Sequence, residues 1–329
     1  MRGLGTTEAQ VISLAKNTRL SPMAASISSI FVYPIKSCRG ISLLQAPITA
    51  TGFRWDRQCV VVNGKGRRAC TQRVEPKLAL VLVELPSEAS IEDWEPTESS
   101  FMVLKAPGMN VLKVSLSKPH ETLADGVSVW EWSGSALDEG DEASQWFSDF
   151  LGKPYRLVRF NTASETRPMD PKYAPGHKVL FSDMSPYMLL SQGSLDALNE
   201  LLNNPNPINR FRPNILVDGC EPFAEDLWTE IKINNFTFQG VRLCTRCKIP
   251  TINQETGIAS PEIGETLKSF RSDTILRPTQ KRKGKVYFGL NIVWNDSLPV
   301  LDQGKGKVIE VGNLVYVLRK VSSANEAVG

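Results

Sequence analysis

Short apolar or alternating runs, separated by glycine, proline and asparagine, are the feature that most limits how this chain of 329 residues can fold. They begin at Ser26 and have the length of strands, which usually run for about four to eight residues. The predicted strands are 27–34, 59–62, 78–85, 101–104 and 111–114, with the acidic segment 86–100 as an excursion from a hairpin. This pattern predicts a sheet or barrel rather than a helical bundle.

Helical periodicity enters later in the chain. Apolar residues between Ala143 and Leu151 recur at spacings of three and four, and Gly152 supplies a C-terminal stop. Ser194 is the predicted N-cap of a second helix that ends before Pro205. The remaining predicted elements are a helix at 261–271 and strands at 155–160, 215–217, 229–233, 236–243, 286–293 and 314–317. This order of elements, without internal repeats, predicts an α+β fold.

Charge and cysteine usage narrow the classes of function. A formal net charge of +3 and a pI near 8.5 are too mild for nucleic-acid binding. No window reaches the roughly 18 consecutive apolar residues of a membrane span, so we expect a soluble chain without a transmembrane segment. Six cysteines without regular spacing favour a reducing compartment over a disulfide framework. Residues 1–25 are predicted to be a flexible tail, with a transit-like segment as the alternative.

One pair of thiols has the spacing of a chemical site. Cys244 and Cys247 lie between Arg242 and Arg246 in the stretch VRLCTRCKIPT. Structural zinc would need further ligands, and a thioredoxin-type pair should open a helix, whereas the residues that follow favour an extended chain or a turn. A third interpretation is one thiolate on a metal whose other ligands come from an anionic cofactor, and a fourth is two core cysteines on a strand. The residues alone leave these alternatives open.

Side chains that bind phosphate and the edges of heterocycles recur at predicted strand ends. They are Lys36 and Ser37 in YPIKSCRG, Arg54 and Arg57 in FRWDRQ, Thr71 and Arg73 in ACTQRVEPKL, and Arg212 and Asn214 in RFRPNILVDG. Each segment alone is more often a solvated strand end, because lysine and arginine are mostly exposed.

Taken together, the motifs resemble those of a known family. They are YPIKSCRG, GFRWDRQ, TQRVEPKL, FSDMSPYMLLS, NRFRPNILVDG, FAEDLW and LCTRCKIPTINQETG. In this order they resemble MOSC-domain proteins, and closely the amidoxime reducing components of eukaryotes, with a plant member expected. The resemblance covers nearly all of the chain after Ala25. It implies a β-rich MOSC N-terminal domain at 26–150 and a β-barrel-like MOSC domain with flanking helices at 151–329, after the tail at 1–25.

The resemblance also implies a molybdenum enzyme whose pterin cofactor supplies two dithiolene sulfurs. Carried over to this sequence, Cys247 is the metal ligand and the catalytic residue. The cofactor-binding positions carried over are Lys36, Ser37, Arg57, Asp183, Ser185, Arg212, Asn214, Arg246 and, by a looser alignment, Asn291. Cys244 lies in an apolar run and is predicted to be a packed thiol, whereas Cys247 is close to the point where the chain leaves the strand.

The implied activity is reduction of N-hydroxylated compounds such as amidoximes and hydroxylamines, with nitrite as a further compatible substrate. No GxGxxG follows a predicted strand, so electrons are expected from NADH through cytochrome b5 reductase and cytochrome b5. A monomer in the cytosol or at the outer face of the mitochondrion is expected. The alternative is a carrier of the molybdenum cofactor without reductase activity, since MOSC domains also form the C-terminal part of molybdenum cofactor sulfurases.

Overall fold

The computed structural model describes residues 23–117, 122–295 and 306–327. Within these residues the chain forms eighteen strands and four α-helices. The predicted flexible tail at 1–25 lies outside the described residues except for its last three, which belong to the first strand. In the described part of the chain, no helix has the length and apolar content needed to cross a membrane.

Strands far outnumber helices, and most of them are short. The strands are β1 (Met23–Val32), β2 (Ile41–Leu43), β3 (Gln45–Thr49), β4 (Gly52–Phe53), β5 (Cys59–Asn63), β6 (Leu82–Glu84), β7 (Phe101–Lys105), β8 (Leu112–Ser115), β9 (Leu123–Val129), β10 (Trp132–Asp138), β11 (Tyr155–Phe160), β12 (Tyr187–Ser191), β13 (Ile215–Asp218), β14 (Trp228–Ile233), β15 (Phe236–Thr245), β16 (Tyr287–Trp294), β17 (Val308–Glu310) and β18 (Leu314–Lys320). The helices are α1 (Asp141–Leu151), α2 (Gln192–Asn199), α3 (Glu262–Arg271) and α4 (Asp273–Leu276).

Seven of the described strands close into a barrel. Their order is β13, β12, β16, β15, β14, β18 and β1, and pairing of β1 with β13 completes the ring. All neighbours are antiparallel except β12 and β13, which are parallel. Every residue of β16 is buried, and the ring of Tyr187 packs between those of Phe53 and Phe238, with centroid distances of 5.1 and 5.6 Å. The barrel therefore contributes a large part of the apolar core.

The strand that completes the barrel is the first one in the described chain. Ser26 in β1 pairs with Asp218 in β13, and Met23 pairs with Tyr316 in β18. A closed barrel leaves no free strand edge between these neighbours. The backbone N–H of Phe31 donates to the carbonyl of Asn214 at 2.8 Å, so the residues that follow β1 lie beside the start of β13.

Three smaller sheets flank the barrel in the described structure. Their strand orders are β5-β11-β10-β9, β17-β3-β4 and β6-β7-β8. Their buried apolar residues and those of the barrel belong largely to one continuous cluster. Both the barrel and the first of these sheets join strands from the two sides of residue 150. The predicted domain limits, 26–150 and 151–329, stay a prediction.

The predicted α+β fold with a barrel and flanking helices is confirmed. Two predicted elements are wrong in detail. The strand predicted at 78–85 begins only at Leu82, because Pro76–Leu80 is a 3₁₀ turn with proline at its start. The second helix begins after Ser191 rather than Ser194, since the N–H of Ser194 donates to the Ser191 hydroxyl at 3.1 Å, which makes Ser191 the N-cap.

Gly240 in β15 is a position where the barrel has no room for a side chain. A Cβ there would overlap the carbonyl oxygen of Trp228 and lie 3.1 Å from Cδ2 of Leu290. We expect Gly240→Ala to lower the free energy of unfolding by about 1–3 kcal/mol, as overpacking usually does. The matched control, Gly264→Ala in α3, has its nearest neighbouring atom at 3.5 Å and should be neutral or stabilising by up to about 1 kcal/mol. Urea unfolding of both variants checks this, and equal losses would contradict it.

Candidate functional site

One cavity of about 270 Å³, which we call the cationic cavity, is lined by all ten residues predicted to bind a cofactor or metal. They are Lys36, Ser37, Arg57, Asp183, Ser185, Arg212, Asn214, Arg246, Cys247 and Asn291. Of the other strand-end residues noted in the sequence, Arg73 joins this lining, whereas Arg54 and Thr71 do not. Trp130, at the tip of the β9–β10 hairpin, also lines it and has no counterpart among the predicted residues. The functional roles of the ten stay a prediction.

Positive charge dominates the lining of the cationic cavity. Five lining side chains are cationic, and Asp183 is the one carboxylate among the described residues that line it. The cations are Lys36, Arg57, Arg73, Arg212 and Arg246. Like charges repel strongly where water is excluded, and burial itself disfavours the charged form. Burial, reinforced by the charge of Arg57, lowers the pKa of Arg212 to about 10. The cavity is thus built to receive negative charge.

Asp183 holds three of the lining side chains in place. It forms a close ion pair with Lys36, and its second oxygen accepts from Arg73 at 2.7 Å. The indole N–H of Trp130 donates to Asp183 at 3.0 Å, and the Arg73 guanidinium lies 4.9 Å from the Trp130 ring centre. Burial would raise the pKa of Asp183, but the charges of Lys36 and Arg73 outweigh it and hold that pKa well below its usual range. Asp183 therefore stays ionised and orients both cations.

Two arginines sandwich the buried ring of Tyr33. The guanidinium carbons of Arg57 and Arg212 lie 4.2 and 4.3 Å from the ring centre. Arg57 also pairs with the buried carboxylate of Asp56 at 2.6 Å and donates to Asn214 at 3.0 Å. Arg212 has no carboxylate within ion-pair distance among the described residues, although its side chain is also nine-tenths buried. Arg57 is thus held by a structural ion pair, whereas Arg212 is available to a ligand.

Backbone conformation sets the same region apart. Eight described non-glycine residues have positive φ, and four of them line the cationic cavity: Ser37, Arg57, Trp130 and Arg212. Such conformations cost on the order of 1–3 kcal/mol each and are concentrated at functional sites in proteins. Their concentration here supports a functional rather than a purely structural role for this cavity.

The uncharged predicted residues connect the strands that line the cavity. The Ser185 hydroxyl donates to the Tyr187 carbonyl at 2.6 Å and lies 3.1 Å from Oδ1 of Asn291. The amide of Asn214 donates to the carbonyl of Phe31 at 3.2 Å and so links β13 to β1. These contacts fix the side chains but leave Nδ2 of Asn291 without a hydrogen-bond partner among the described residues.

The two thiols are placed differently, as expected. Cys247 is exposed at the rim of the cavity, and the N–H of Ile249 approaches its sulfur at 3.5 Å. Cys244 is half-buried, packs against apolar residues and accepts from Arg246 at 3.1 Å. The expectation that both flanking arginines serve the thiol pair needs correction, because Arg242 does not line this cavity.

Arg73, distant in sequence, is the guanidinium that faces the exposed thiol. Burial would lower the pKa of Arg73, but the negative charges of Asp183 and Cys247 raise it overall. Strand-end position was the only sequence signal for Arg73, and nothing in the sequence links it to Cys247. Trp130 gave no signal, because a tryptophan in a hairpin turn carries no motif.

Unsatisfied donors around the cavity match a ligand rich in acceptors. Buried nitrogens without a partner in the described structure include Nε of Arg73, Nη2 of Arg212, Nε of Arg246 and Nδ2 of Asn291. Buried donors are normally paired, so such a group points to a missing acceptor. No group of three or more His, Cys, Asp or Glu among the described residues could bind a metal by itself. A metal at Cys247 would therefore need most of its ligands from a bound molecule.

Comparisons with known proteins agree with this geometry. Residues 24–154 match the family described as MOSC N-terminal beta barrel domain, and residues 176–316 match the MOSC domain. The chain is 35% identical to mitochondrial amidoxime reducing component 2 of Bos taurus, over 80% of this chain and 77% of that protein. It is 30% identical to mitochondrial amidoxime-reducing component 1 of Homo sapiens, over 92% and 86%. Molybdenum cofactor sulfurase of Oryza sativa is 27% identical over 88% of this chain but only 35% of that protein.

The two arginines on Tyr33 should respond differently to the same substitution. Arg57→Gln leaves the Asp56 carboxylate buried without its cation and should cost about 3–5 kcal/mol of unfolding free energy. Arg212→Gln removes a cation that lacks a carboxylate partner in the described structure and should change stability by less than about 1 kcal/mol. Urea unfolding measures both. Equal destabilisation would contradict the distinction between a structural and a ligand-directed arginine.

Lys36 should make anion binding depend on pH. Burial lowers its pKa to about 8, with Asp183 opposing that shift. The protonated amine binds an anion, so affinity for sulfate, whose charge is constant over this range, should fall about tenfold from pH 7 to pH 9. Lys36→Arg should remove the dependence, because a guanidinium stays charged. Isothermal titration calorimetry at both pH values checks this, and an equally steep fall in the variant would assign the effect to another group.

Proposed function

The chain belongs to the MOSC-domain family of amidoxime reducing components, and we propose that it is a molybdenum-cofactor oxidoreductase that reduces N-hydroxylated compounds. The observation that carries the proposal is the cationic cavity itself. Five cations and several unsatisfied donors surround a space whose rim exposes one thiol, Cys247. This combination suits an anionic cofactor that brings a metal to a single cysteine.

The residues of the cavity fit such a cofactor. Lys36, Ser37, Arg57, Arg212 and Asn214 would hold its phosphate and pterin edges through charge-assisted hydrogen bonds. Arg246 and Asn291 offer unsatisfied nitrogens to the same space. Cys247 would be the protein ligand of molybdenum, with Arg73 stabilising the thiolate. When bound, the cofactor supplies the two-electron redox chemistry.

The proposed reaction removes one oxygen from nitrogen. An amidoxime, two electrons and two protons give an amidine and water, with cleavage of the N–O bond. The protein contributes position and electrostatics: Asp183 keeps Lys36 and Arg73 in place, and Trp130 covers part of the site with its indole. Because Cys247 is exposed, substrate and the two protons can reach the site from solvent.

Electrons must come from a partner in this proposal. The expected route is NADH, cytochrome b5 reductase and cytochrome b5. Exposure of Cys247 supports direct approach of a small redox protein. Arg68 lines a groove that shares Lys36, Arg73 and Trp130 with the cationic cavity, so positive charge extends beyond the site. A basic rim favours encounter with an acidic partner.

Location and assembly follow the same inference. The relatives from Bos taurus and Homo sapiens are named as mitochondrial. We propose the outer face of the mitochondrion or the cytosol, where cytochrome b5 is reduced, and a monomeric protein. The similarity to the sulfurase from Oryza sativa supports a second candidate function, a carrier that binds the cofactor without reducing substrates.

Reconstitution separates reductase from carrier. Protein produced in a host that makes the cofactor should contain molybdenum and pterin in equal amounts. With cytochrome b5 and its reductase it should oxidise NADH when benzamidoxime is added. Benzamidine should appear in the same amount as the NADH consumed. A carrier would contain the cofactor and give no turnover.

The two thiols provide the matched variants for this test. Cys247→Ser should lower turnover by more than the roughly 10–100-fold that changes around a metal's ligands cost, because the sulfur ligand is lost. The pterin should remain, since the cations that bind it are unchanged. Cys244→Ala should keep most activity, because Cys244 is a packed thiol. Turnover and pterin content of both variants measure this, and the reverse pattern would overturn the assignment.

A further inference from the structure

A second cavity, of about 710 Å³, adjoins the cationic cavity. We call it the Tyr173 cavity. Its lining includes five residues that also line the cationic cavity: Trp130, Asp183, Met184, Ser185 and Asn291. A molecule in the Tyr173 cavity would therefore lie directly beside whatever fills the first one. None of the residues that are found only in the second cavity is used by the proposed cofactor site.

The walls of the Tyr173 cavity suit the body of an organic molecule. Apolar and aromatic side chains form most of its lining. They are Trp130, Trp132, Pro168, Met169, Tyr173, Val179, Met184 and Val241. Ligand sites of this kind bury an apolar body and fix its orientation with a few polar groups.

Arg242 is the polar group that stands out in this cavity. Its side chain is nine-tenths buried, with 9% of the residue exposed, and its guanidinium lies 4.4 Å from the ring centre of Tyr173. Nε of Arg242 has no partner, and no described residue provides its guanidinium with a carboxylate or another acceptor. The amine of Lys172 lies over the same ring at 5.4 Å. An unpaired buried guanidinium is unfavourable unless an anion completes it.

The carboxylates that line the same cavity are engaged elsewhere. Asp183 binds Lys36 and Arg73, as described above. Asp170 accepts the backbone N–H of Lys172 at 3.0 Å. Glu131 acts on Arg167 instead, which donates to the carbonyl of Leu180 at 2.8 Å. The protein thus leaves the charge of Arg242 without a counter-ion among its described residues.

A strand irregularity aims Arg242 at the shared wall. The register between β15 and β16 shifts between Gly240 and Arg242, so that Arg242 pairs with Asn291. Such bulges re-aim side chains and are frequent beside active sites. Asn291 Nδ2 is also without a partner in the described structure. Two buried, unsatisfied donors therefore sit side by side on neighbouring strands, and both line the Tyr173 cavity.

We propose that the Tyr173 cavity is the substrate chamber and that Arg242 selects N-hydroxylated compounds carrying a carboxylate. The inference rests on the proposed reductase function, because only then does the neighbouring cavity hold the reacting metal. The carboxylate binds the guanidinium through paired N–H groups, as arginine and carboxylate geometries match. The body of the substrate packs on the aromatic walls, and its N–OH group extends over the shared wall towards Cys247.

The test compares two substrates that differ in one group. 4-Carboxybenzamidoxime should have a KM about ten to a hundred times lower than benzamidoxime on the holoenzyme, with similar kcat, because a charged hydrogen-bonded pair contributes to binding before the reaction. Arg242→Gln should remove this preference and leave benzamidoxime unchanged. Arg242→Lys should retain part of it, since the charge remains but the paired N–H groups are lost. Arg319→Gln, an exposed arginine paired with Glu230, is the charge-matched control and should behave as wild type.

A binding measurement separates failure of this inference from failure of the proposed function. Calorimetric titration of the holoprotein with 4-carboxybenzamidine and benzamidine, the two reaction products, needs no turnover. Tighter binding of the carboxylate, lost in Arg242→Gln, supports the site even if no substrate is reduced. Reduction of both substrates with equal KM, and equal binding of both products, would overturn the assignment of Arg242 while leaving the reductase intact.

Discussion

Mutual repulsion among five cationic side chains around one cavity is the condition that the surrounding structure has to satisfy. Three devices offset it. Asp183 pairs with Lys36 and Arg73, the buried carboxylate of Asp56 pairs with Arg57, and the electron-rich faces of Tyr33 take two guanidinium groups. These devices compensate the charge only in part, since several nitrogens remain without partners in the described structure. The incomplete compensation gives the cavity its affinity for an anion.

Barrel closure is what gathers these charges. Lys36 and Ser37 follow β1, and Arg212 and Asn214 precede β13, so the pairing of these two strands brings both segments to one place. Hydrogen bonds between Phe31 and Asn214 run in both directions at the junction, through the backbone at 2.8 Å and the Asn214 amide at 3.2 Å. A change that loosened this pairing would separate the cations as well as open the barrel.

The sequence predicted the strand-rich fold and the residues of the cavity better than their arrangement. Alternating apolar runs reveal strands because side chains alternate between faces, and motif resemblance located all ten lining positions. Proximity of Arg73 to Cys247 depends on tertiary pairing between distant segments, which no local pattern encodes. The strand bulge before Arg242 likewise changed which cavity that side chain lines, since period two would have kept it with the thiols. Local capping decided the start of α2 in favour of Ser191.

Closure of the barrel by its earliest strand has a consequence for biosynthesis. Met23 finds its partner Tyr316 only about 290 positions later in the chain. At a translation rate of about 5–20 residues per second, the growing chain carries an unpaired β1 for on the order of 15–60 s. An unpaired edge of this length can associate with other chains, so a chaperone that shields nascent strands would favour correct folding. Assembly of the cavity, and with it cofactor insertion, is then a post-translational event.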